Sequence, residues 1–482
     1  MNYGMVFNTT GKVVKIEAIM LAVPAVVALI FAEWWYAAAF AISAAIALAV
    51  GFALTLLRPR NQLIFAKEGL VTVALAWIFV SLIGALPFVI GGVIPSYVDA
   101  LFETVSGFTT TGATIINDVE KIGKSMQFWR ALTHFVGGMG VLVFVMAVTS
   151  KATDRSMHIL RAEMPGPIVD KLVPRAKDTA LILYLIYIGL TLLLAILLLF
   201  GGMDLFESLV HAFATAGTGG FGIKNDSLAS YSHYVQWVIA IFMILYGVNF
   251  NVFYLIILRR IGAAMKSEEF WIYILTVIAS IAIVCVSLVS VLNVAFPDAL
   301  RDATFQVAAF MSTTGFSTAN YNAWPDIAKA VLLILMFIGG CAGSTAGGFK
   351  ITRVIILVKK LGNDLKQTLH PRTASIVKFE GKRVDESTLE GVSGYLVIYL
   401  IILIATFGLL SLDPSGFGFE ANFTASVSCF NNIGPFFSTS GMGTFADFSV
   451  FSKIVLTLSM LLGRLEIYPM LLTLTPRTWI KK

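Results

Sequence analysis

Four polar stretches interrupt an otherwise apolar chain: Thr109-Thr110-Thr111-Gly112-Ala113-Thr114, Thr218-Gly219-Gly220-Phe221, Thr313-Thr314-Gly315-Phe316 and Asn432-Ile433-Gly434-Pro435. None pairs a nucleophile with a base, and none has metal-ligand spacing, so membrane enzyme chemistry has no residues to run on. What these stretches offer is oxygen. Glycine can turn successive carbonyls in directions other residues resist, and threonine hydroxyls just before it add further oxygen ligands. Carbonyl oxygens arranged around an axis can replace the water shell of a dehydrated alkali cation. A single copy reads as a turn between helices, whereas four copies at equivalent positions on one side of a membrane read as a ring.

The setting is a membrane. Of 482 residues, 58% are hydrophobic and 13% charged, with mean hydropathy +0.86, against about 25% charged in soluble domains. Apolar runs of roughly 20 residues suit spanning helices rather than barrel strands. They fall near 14–33, 36–57, 69–92, 128–149, 179–202, 233–258, 270–295, 326–358, 391–411 and 450–475. No cleavable signal peptide is evident. Four shorter segments, near 99–112, 204–220, 302–315 and 420–434, are too short and too polar to span and should be re-entrant half-helices. Irregular backbone at membrane depth is tolerated only when buried in protein or lining a wet cavity. The acids Asp99, Glu207, Asp302 and Glu420 stand at the expected helix starts, and the carboxyl ends, which carry partial negative charge, point to the pore centre.

From residue 69 the order span, short segment ending in glycine, span occurs four times at a period of about a hundred residues, the signature of an internal repeat. The predicted fold is an all-α integral membrane protein: four span–pore helix–span units around a pseudo-fourfold pore, plus two N-terminal transmembrane helices. The divisions are 1–67 for the two extra helices, then pore units at 68–150, 178–260, 268–360 and 388–482, with cytoplasmic loops at 151–177 and 361–387. With the amino terminus inside, cytoplasmic segments carry 26 of the 34 Lys and Arg residues and external segments 7. That asymmetry puts both termini in the cytoplasm of a multi-pass protein. The net charge of +6 then reflects membrane orientation, and no nucleic-acid partner is expected. Cys285, Cys341 and Cys429 lie in apolar segments and read as packing residues.

Residues 339–348, Gly339-Gly340-Cys341-Ala342-Gly343-Ser344-Thr345-Ala346-Gly347-Gly348, break the second span of the third unit. Glycine costs about 1 kcal/mol relative to alanine in a helix, so this run predicts a loop inside the protein at mid-depth. It would lie on the cytoplasmic side of the carbonyl ring, where a mobile constriction acts as a gate. Close packing of small residues is the alternative. Arg464 stands mid-span, where a cation costs roughly 2.5–3.5 kcal/mol, so it should face the interior and pair. The expectation is that it donates to carbonyls of 339–348 and repels cations when the loop is closed; a salt bridge to a neighbouring helix is the competing reading. Glu466 is the one clear acid at mid-depth. Lys350 is expected to snorkel to the cytoplasmic interface. None of the histidines is assigned a metal, and His211 should brace the second half-helix. Gly217-Thr218-Gly219-Gly220-Phe221-Gly222 matches a dinucleotide fingerprint only formally, since no βαβ unit surrounds it.

The four units, Thr109–Thr114, the 339–348 loop and Gly463-Arg464-Leu465-Glu466-Ile467, together with Arg161–Pro167 and His370-Pro371-Arg372, resemble the TrkH/TrkG branch of the Trk/Ktr/HKT potassium transporter superfamily. The resemblance covers essentially the whole chain. It implies uptake of K+ as the transported ion in a prokaryotic plasma (inner) membrane, a homodimer, and a cytoplasmic ring of TrkA-type regulatory subunits. It places a nucleotide, NAD(H), ATP or ADP, on that partner and no cofactor on this chain. It implies a selectivity filter at Thr110, Thr111 and Gly112; Thr218, Gly219 and Gly220; Thr313, Thr314 and Gly315; and Asn432, Ile433 and Gly434. It implies a gate at Gly339, Gly340, Gly343, Ser344, Thr345, Gly347 and Gly348 with Arg464. Glycine at all four filter positions goes with potassium rather than sodium in such proteins. A proton- or sodium-coupled symporter with alternating access is the second reading, since carriers also use broken helices and repeats. Their repeats are commonly inverted, whereas these share one orientation.

Overall fold

A computed structural model describes residues 1–57, 65–140, 176–371, 376–413, 417–438 and 444–480. The loop at 151–175, the Arg161–Pro167 motif and the end of the run at 128–149 lie outside the described residues. Among those described, the structure is helical apart from one two-residue hairpin, β1 (Lys378–Phe379) and β2 (Lys382–Arg383). Below, "inner" means the side that charge asymmetry assigns to the cytoplasm.

Two long helices open the chain, α1 (Tyr3–Ile30) and α2 (Trp34–Thr55). The Asn2 side chain caps α1 by accepting from the Met5 amide, so the helix begins well before the apolar run does. The first repeat follows as α3 (Ala66–Gly84), the short α4 (Tyr97–Phe108) and α5 (Lys124–Gly138). The second is α6 (Ala176–Phe200), α7 (Leu205–Ala216), α8 (His233–Tyr246) and α9 (Phe250–Ile257). The third is α10 (Glu268–Leu292), α11 (Phe296–Met311), α12 (Asp326–Ile338) and α13 (Ile351–Leu369). The fourth is α14 (Glu386–Leu410), α15 (Phe419–Phe430), α16 (Val450–Arg464) and α17 (Tyr468–Leu474).

Packing closes these repeats into a cycle. The half-helix α7 lies against α5, α11 against α8, α15 against α12, and α4 against α16. Each short helix therefore rests on the last long helix of the preceding repeat, and the fourth repeat returns to the first. The second repeat carries its cap as written in the sequence: Asp204 accepts from the Glu207 amide at 2.6 Å. The third departs from it. There α11 begins at Phe296 with Pro297 in its first turn, so Asp298 rather than Asp302 occupies the helix start, and Asp302 instead pairs with Arg301 at 3.1 Å.

Ten apolar runs do not become ten straight spans. Six helices among the described residues are long and apolar enough to cross a membrane, or seven if one bent pair counts as one. The last span of every repeat is interrupted, not only that of the third. In the first, α5 stops at Gly138 and Gly140 follows with φ +83°. In the second, α8 and α9 meet at 94° across Gly247-Val248-Asn249. In the fourth, α16 ends before Glu466 and Ile467, with φ +56° and +64°. Only the third break is glycine-rich enough to be seen in composition; the others rest on one or two residues each.

Candidate pore and gate

The carboxyl ends of α4, α7, α11 and α15 pass into four turns of the same backbone shape. Thr110, Thr218, Thr313 and Asn432 have φ of +55°, +55°, +56° and +55°. Two residues on, Gly112, Gly220, Gly315 and Gly434 have φ of +78°, +79°, +79° and +101°. The left-handed region costs a non-glycine residue about 1–3 kcal/mol, more readily sustained where surrounding structure imposes it, and such strain clusters at functional sites. Between the two strained positions, the amides of Thr111, Gly219, Thr314 and Ile433 each bond to the carbonyl five residues back, at 2.8, 2.9, 2.8 and 2.9 Å. The half-helix thereby satisfies the turn's donor.

The four turns meet. A Cβ added to Gly112 would lie 1.9 Å from the carbonyl oxygen of Gly219, one on Gly220 2.0 Å from that of Thr314, one on Gly315 2.0 Å from that of Ile433, and one on Gly434 2.6 Å from that of Thr111. Each turn's middle carbonyl presses on the next turn's glycine, and the series closes on itself. No hydrogen-bond donor among the described residues reaches these four oxygens. The hydroxyls are used differently from the expectation. Thr111 bonds to Thr109 at 2.8 Å and receives Asn432 Nδ2 at 2.9 Å, and Thr314 bonds to Ser312 at 2.7 Å. Protein partners engage these hydroxyls, whereas the carbonyls stay open.

Behind the ring lies a charged pair that no motif announced. Glu103 and Arg130 are 1% and 2% exposed and meet at 2.8 Å. Glu103 also accepts from the Ile115 amide at 2.9 Å and from the Thr114 hydroxyl, while Arg130 reaches the Gly222 carbonyl and stacks 4.0 Å over Phe221. The pair thus ties the first turn to the second. An arginine inside an apolar run was the available signal. His134 packs 4.2 Å from Phe221 and bonds to the Gly107 carbonyl. His211 bonds to Glu207 of its own helix and its ring lies 6.0 Å from Phe316. No group of three or more His, Cys, Asp and Glu among the described residues could hold a metal. All three cysteines are unpaired and buried.

Residues 339–350 form one irregular, mostly buried loop between α12 and α13, with Gly339, Gly343 and Gly348 at φ +69°, +67° and +80°. Gly347 donates to the Thr313 hydroxyl at 2.6 Å and Gly348 to the Asn431 carbonyl at 3.0 Å, which sets the loop under the third and fourth turns. Gly340 packs on Ala346, since an added Cβ would stand 2.6 Å from the alanine Cβ. Ser344 bonds to the Cys341 carbonyl and Thr345 to that of Tyr246. The amide of Cys341 reaches the Gly247 carbonyl, and Gly343 accepts from Phe250.

Arg464 gathers three repeats. Its guanidinium donates to the carbonyls of Thr345 at 3.0 Å, Gly137 at 2.5 Å and Gly138 at 2.7 Å. Glu466 does not pair with it; Glu466 binds Arg353 at the start of α13. The two arginines therefore cross between the third and fourth repeats. Lys350 corrects an expectation: it is 1% exposed and donates to the Ala346 carbonyl. Its own φ of +79° turns the side chain back into the loop instead of towards the interface. Glu466 is also not alone as a deep acid, since Glu17, Glu103 and Glu269 are all buried. Glu17, on α1 against Gly84, lies away from the ring.

Residues 37–479 match the TrkH family, described as cation transport proteins. The chain is 33% identical over 491 residues to the Trk system potassium uptake protein TrkH of Escherichia coli K12, covering 99% of this chain and 100% of the relative. It is 31% identical over 420 residues to that organism's Trk system potassium uptake protein TrkG, covering 86% and 85%. The crystal structure of the potassium transporter TrkH from Vibrio parahaemolyticus superposes with a TM-score of 0.88 over 100% of both chains at 28% identity.

Proposed function

The chain belongs to the TrkH family of cation transport proteins, and on that premise we propose that it takes up potassium through a filter made by the four glycine turns and gated by the 339–348 loop. The observation that carries this reading is the closed series of carbonyl-to-glycine contacts. A dehydrated cation needs several oxygen ligands at once, and four strained turns with open carbonyls around one axis supply them. Four half-helices end at the ring, and their partial negative charges favour a cation without a carboxylate among the ligands. Size-matching to potassium follows from the tightness of the series: no side chain fits at Gly112, Gly220 or Gly315.

Gating follows from the layer beneath. The loop bonds directly to two of the turns and is held by Arg464, whose positive charge at that depth opposes a cation in the same passage. Opening requires the Thr345 carbonyl to leave Arg464 and the 347–348 amides to leave Thr313 and Asn431. We further propose a homodimer in a prokaryotic inner membrane with both termini in the cytoplasm. A ring of TrkA-type subunits carrying the nucleotide would act on the inner face of the loop. The unit boundaries at 68–150, 178–260, 268–360 and 388–482 belong to the same proposal.

A coupled carrier would need an acid that changes partners during the cycle. Glu103 and Glu466 are each committed to a buried arginine, which favours the pore. The test is flux in liposomes holding this protein alone, under imposed potassium or sodium gradients, with and without a proton ionophore. Potassium flux down its own gradient and indifferent to the ionophore is the expected result. Flux that requires or moves protons would replace the pore with the carrier.

A further inference from the structure

Glu269 lies in the first turn of α10, outside the ring and outside every motif that the sequence brings forward. It is 3% exposed. One carboxylate oxygen accepts from the Ala342 amide at 2.7 Å and from the Thr352 hydroxyl; the other accepts from Asn249 Nδ2 at 3.2 Å. Ala342 is inside the 339–348 loop, Thr352 is in the first turn of α13, and Asn249 is at the bend between α8 and α9. A single carboxylate therefore holds the loop, the helix that leaves it and the neighbouring broken span. Three donors on one side chain form the environment of an ionised carboxylate.

The backbone of the same residue is held from the other side. Glu380 accepts from the Glu269 amide at 3.1 Å and from the Ser267 hydroxyl at 2.9 Å. Glu380 sits at the turn of the β1–β2 hairpin, and Lys359 of α13 donates to the Lys378 carbonyl at 2.9 Å while pairing with Glu268. The hairpin thus grips the start of α10 and the body of α13 together. These are the two helices between which the loop is suspended.

We infer that Glu269 is a positioning residue for the 339–348 loop, and that the hairpin docked through Glu380 is the lever by which the inner face reaches it. The inference deepens the gate reading and rests on it for its functional meaning. Its structural content is separately testable, because Cys341 is a buried reporter one residue before Ala342. In the full chain in liposomes, with Cys285 and Cys429 replaced by alanine, modification of Cys341 by a small methanethiosulfonate is timed. Rates are taken at the high-pH plateau, so that access and not thiol acidity is compared. Glu269→Ala is expected to speed labelling about tenfold, as loss of several buried charge-assisted bonds should. Glu380→Ala, at the surface, speeds it less and adds nothing on top of Glu269→Ala, because it acts through the same residue. Glu269→Gln combined with Asn249→Asp exchanges donor and acceptor across that contact and returns the rate to within about twofold of the parent.

Unchanged labelling in Glu269→Ala, full additivity with Glu380→Ala, or failure of the exchanged pair to restore the rate would each overturn the inference. If Glu269→Ala does not fold, Glu380→Ala and the exchanged pair decide it. Faster labelling with unchanged potassium flux would uphold the positioning role and overturn the gate reading instead.

Discussion

The amide of Gly347 donates to the hydroxyl of Thr313 across 2.6 Å. One residue thus belongs both to the third filter turn and to the support of the loop beneath it. Thr313 also carries the strained φ of +56°, so the bond stabilises a conformation that the backbone alone disfavours. Thr313→Val keeps the shape and removes the acceptor, leaving a buried N–H unpaired at a cost of about 1–3 kcal/mol. The expected outcome is a lower thermal midpoint in detergent and faster basal potassium flux, read by calorimetry and a liposome assay. An unchanged flux would separate the loop from the filter.

Arg464 is held by three carbonyls from two repeats. Arg464→Met removes both the fork and the charge, and basal flux should rise. Arg464→Lys retains the charge, but a single ammonium cannot reproduce the planar fork, so it should fall between parent and Arg464→Met. Single-channel or flux recordings check the order. Conductance and gating identical to the parent in Arg464→Met would remove the residue from the gate.

The Glu103–Arg130 pair predicts a stability asymmetry. Removing one partner strands a buried charge and typically costs about 3–5 kcal/mol, whereas replacing both with apolar residues of similar volume costs far less. Arg130→Met should therefore lower the unfolding midpoint more than Arg130→Met with Glu103→Leu does. Thermal unfolding of the three proteins measures it. Equal losses would show that the pair's hydrogen bonds to Thr114, Ile115 and Gly222, and not its charge balance, carry the stability.

Much of this architecture was legible in sequence because it repeats. The apolar runs, the short half-helices and the glycines at a common spacing are properties of composition. Residues 339–348 declared themselves by density of glycine, and Arg464 by standing in an apolar run. What stayed hidden depends on partners distant in sequence. Glu103 and Arg130 are 27 residues apart, and Arg353 and Glu466 are 113 apart. The breaks at Val248 and Glu466 need only one or two unusual backbone angles, which leave no mark on hydropathy. Lys350 was misjudged because snorkelling assumes an ordinary helix, and its left-handed backbone points the ammonium inward. Asp302 was misplaced because Pro297 starts its helix a turn earlier.

The central claim is that the four glycine turns are the filter, and Gly112→Ser tests it most directly. A Cβ there would stand 1.9 Å from the Gly219 carbonyl oxygen, so the ring must shift. Gly92 is the control: its φ of +76° imposes the same backbone strain, yet an added Cβ would meet nothing within 4 Å. The measurement is the potassium-to-sodium permeability ratio of both variants in liposomes beside the parent. The account predicts a ratio that falls in Gly112→Ser and holds in Gly92→Ser. An unchanged ratio in Gly112→Ser, in protein that still conducts, would contradict it.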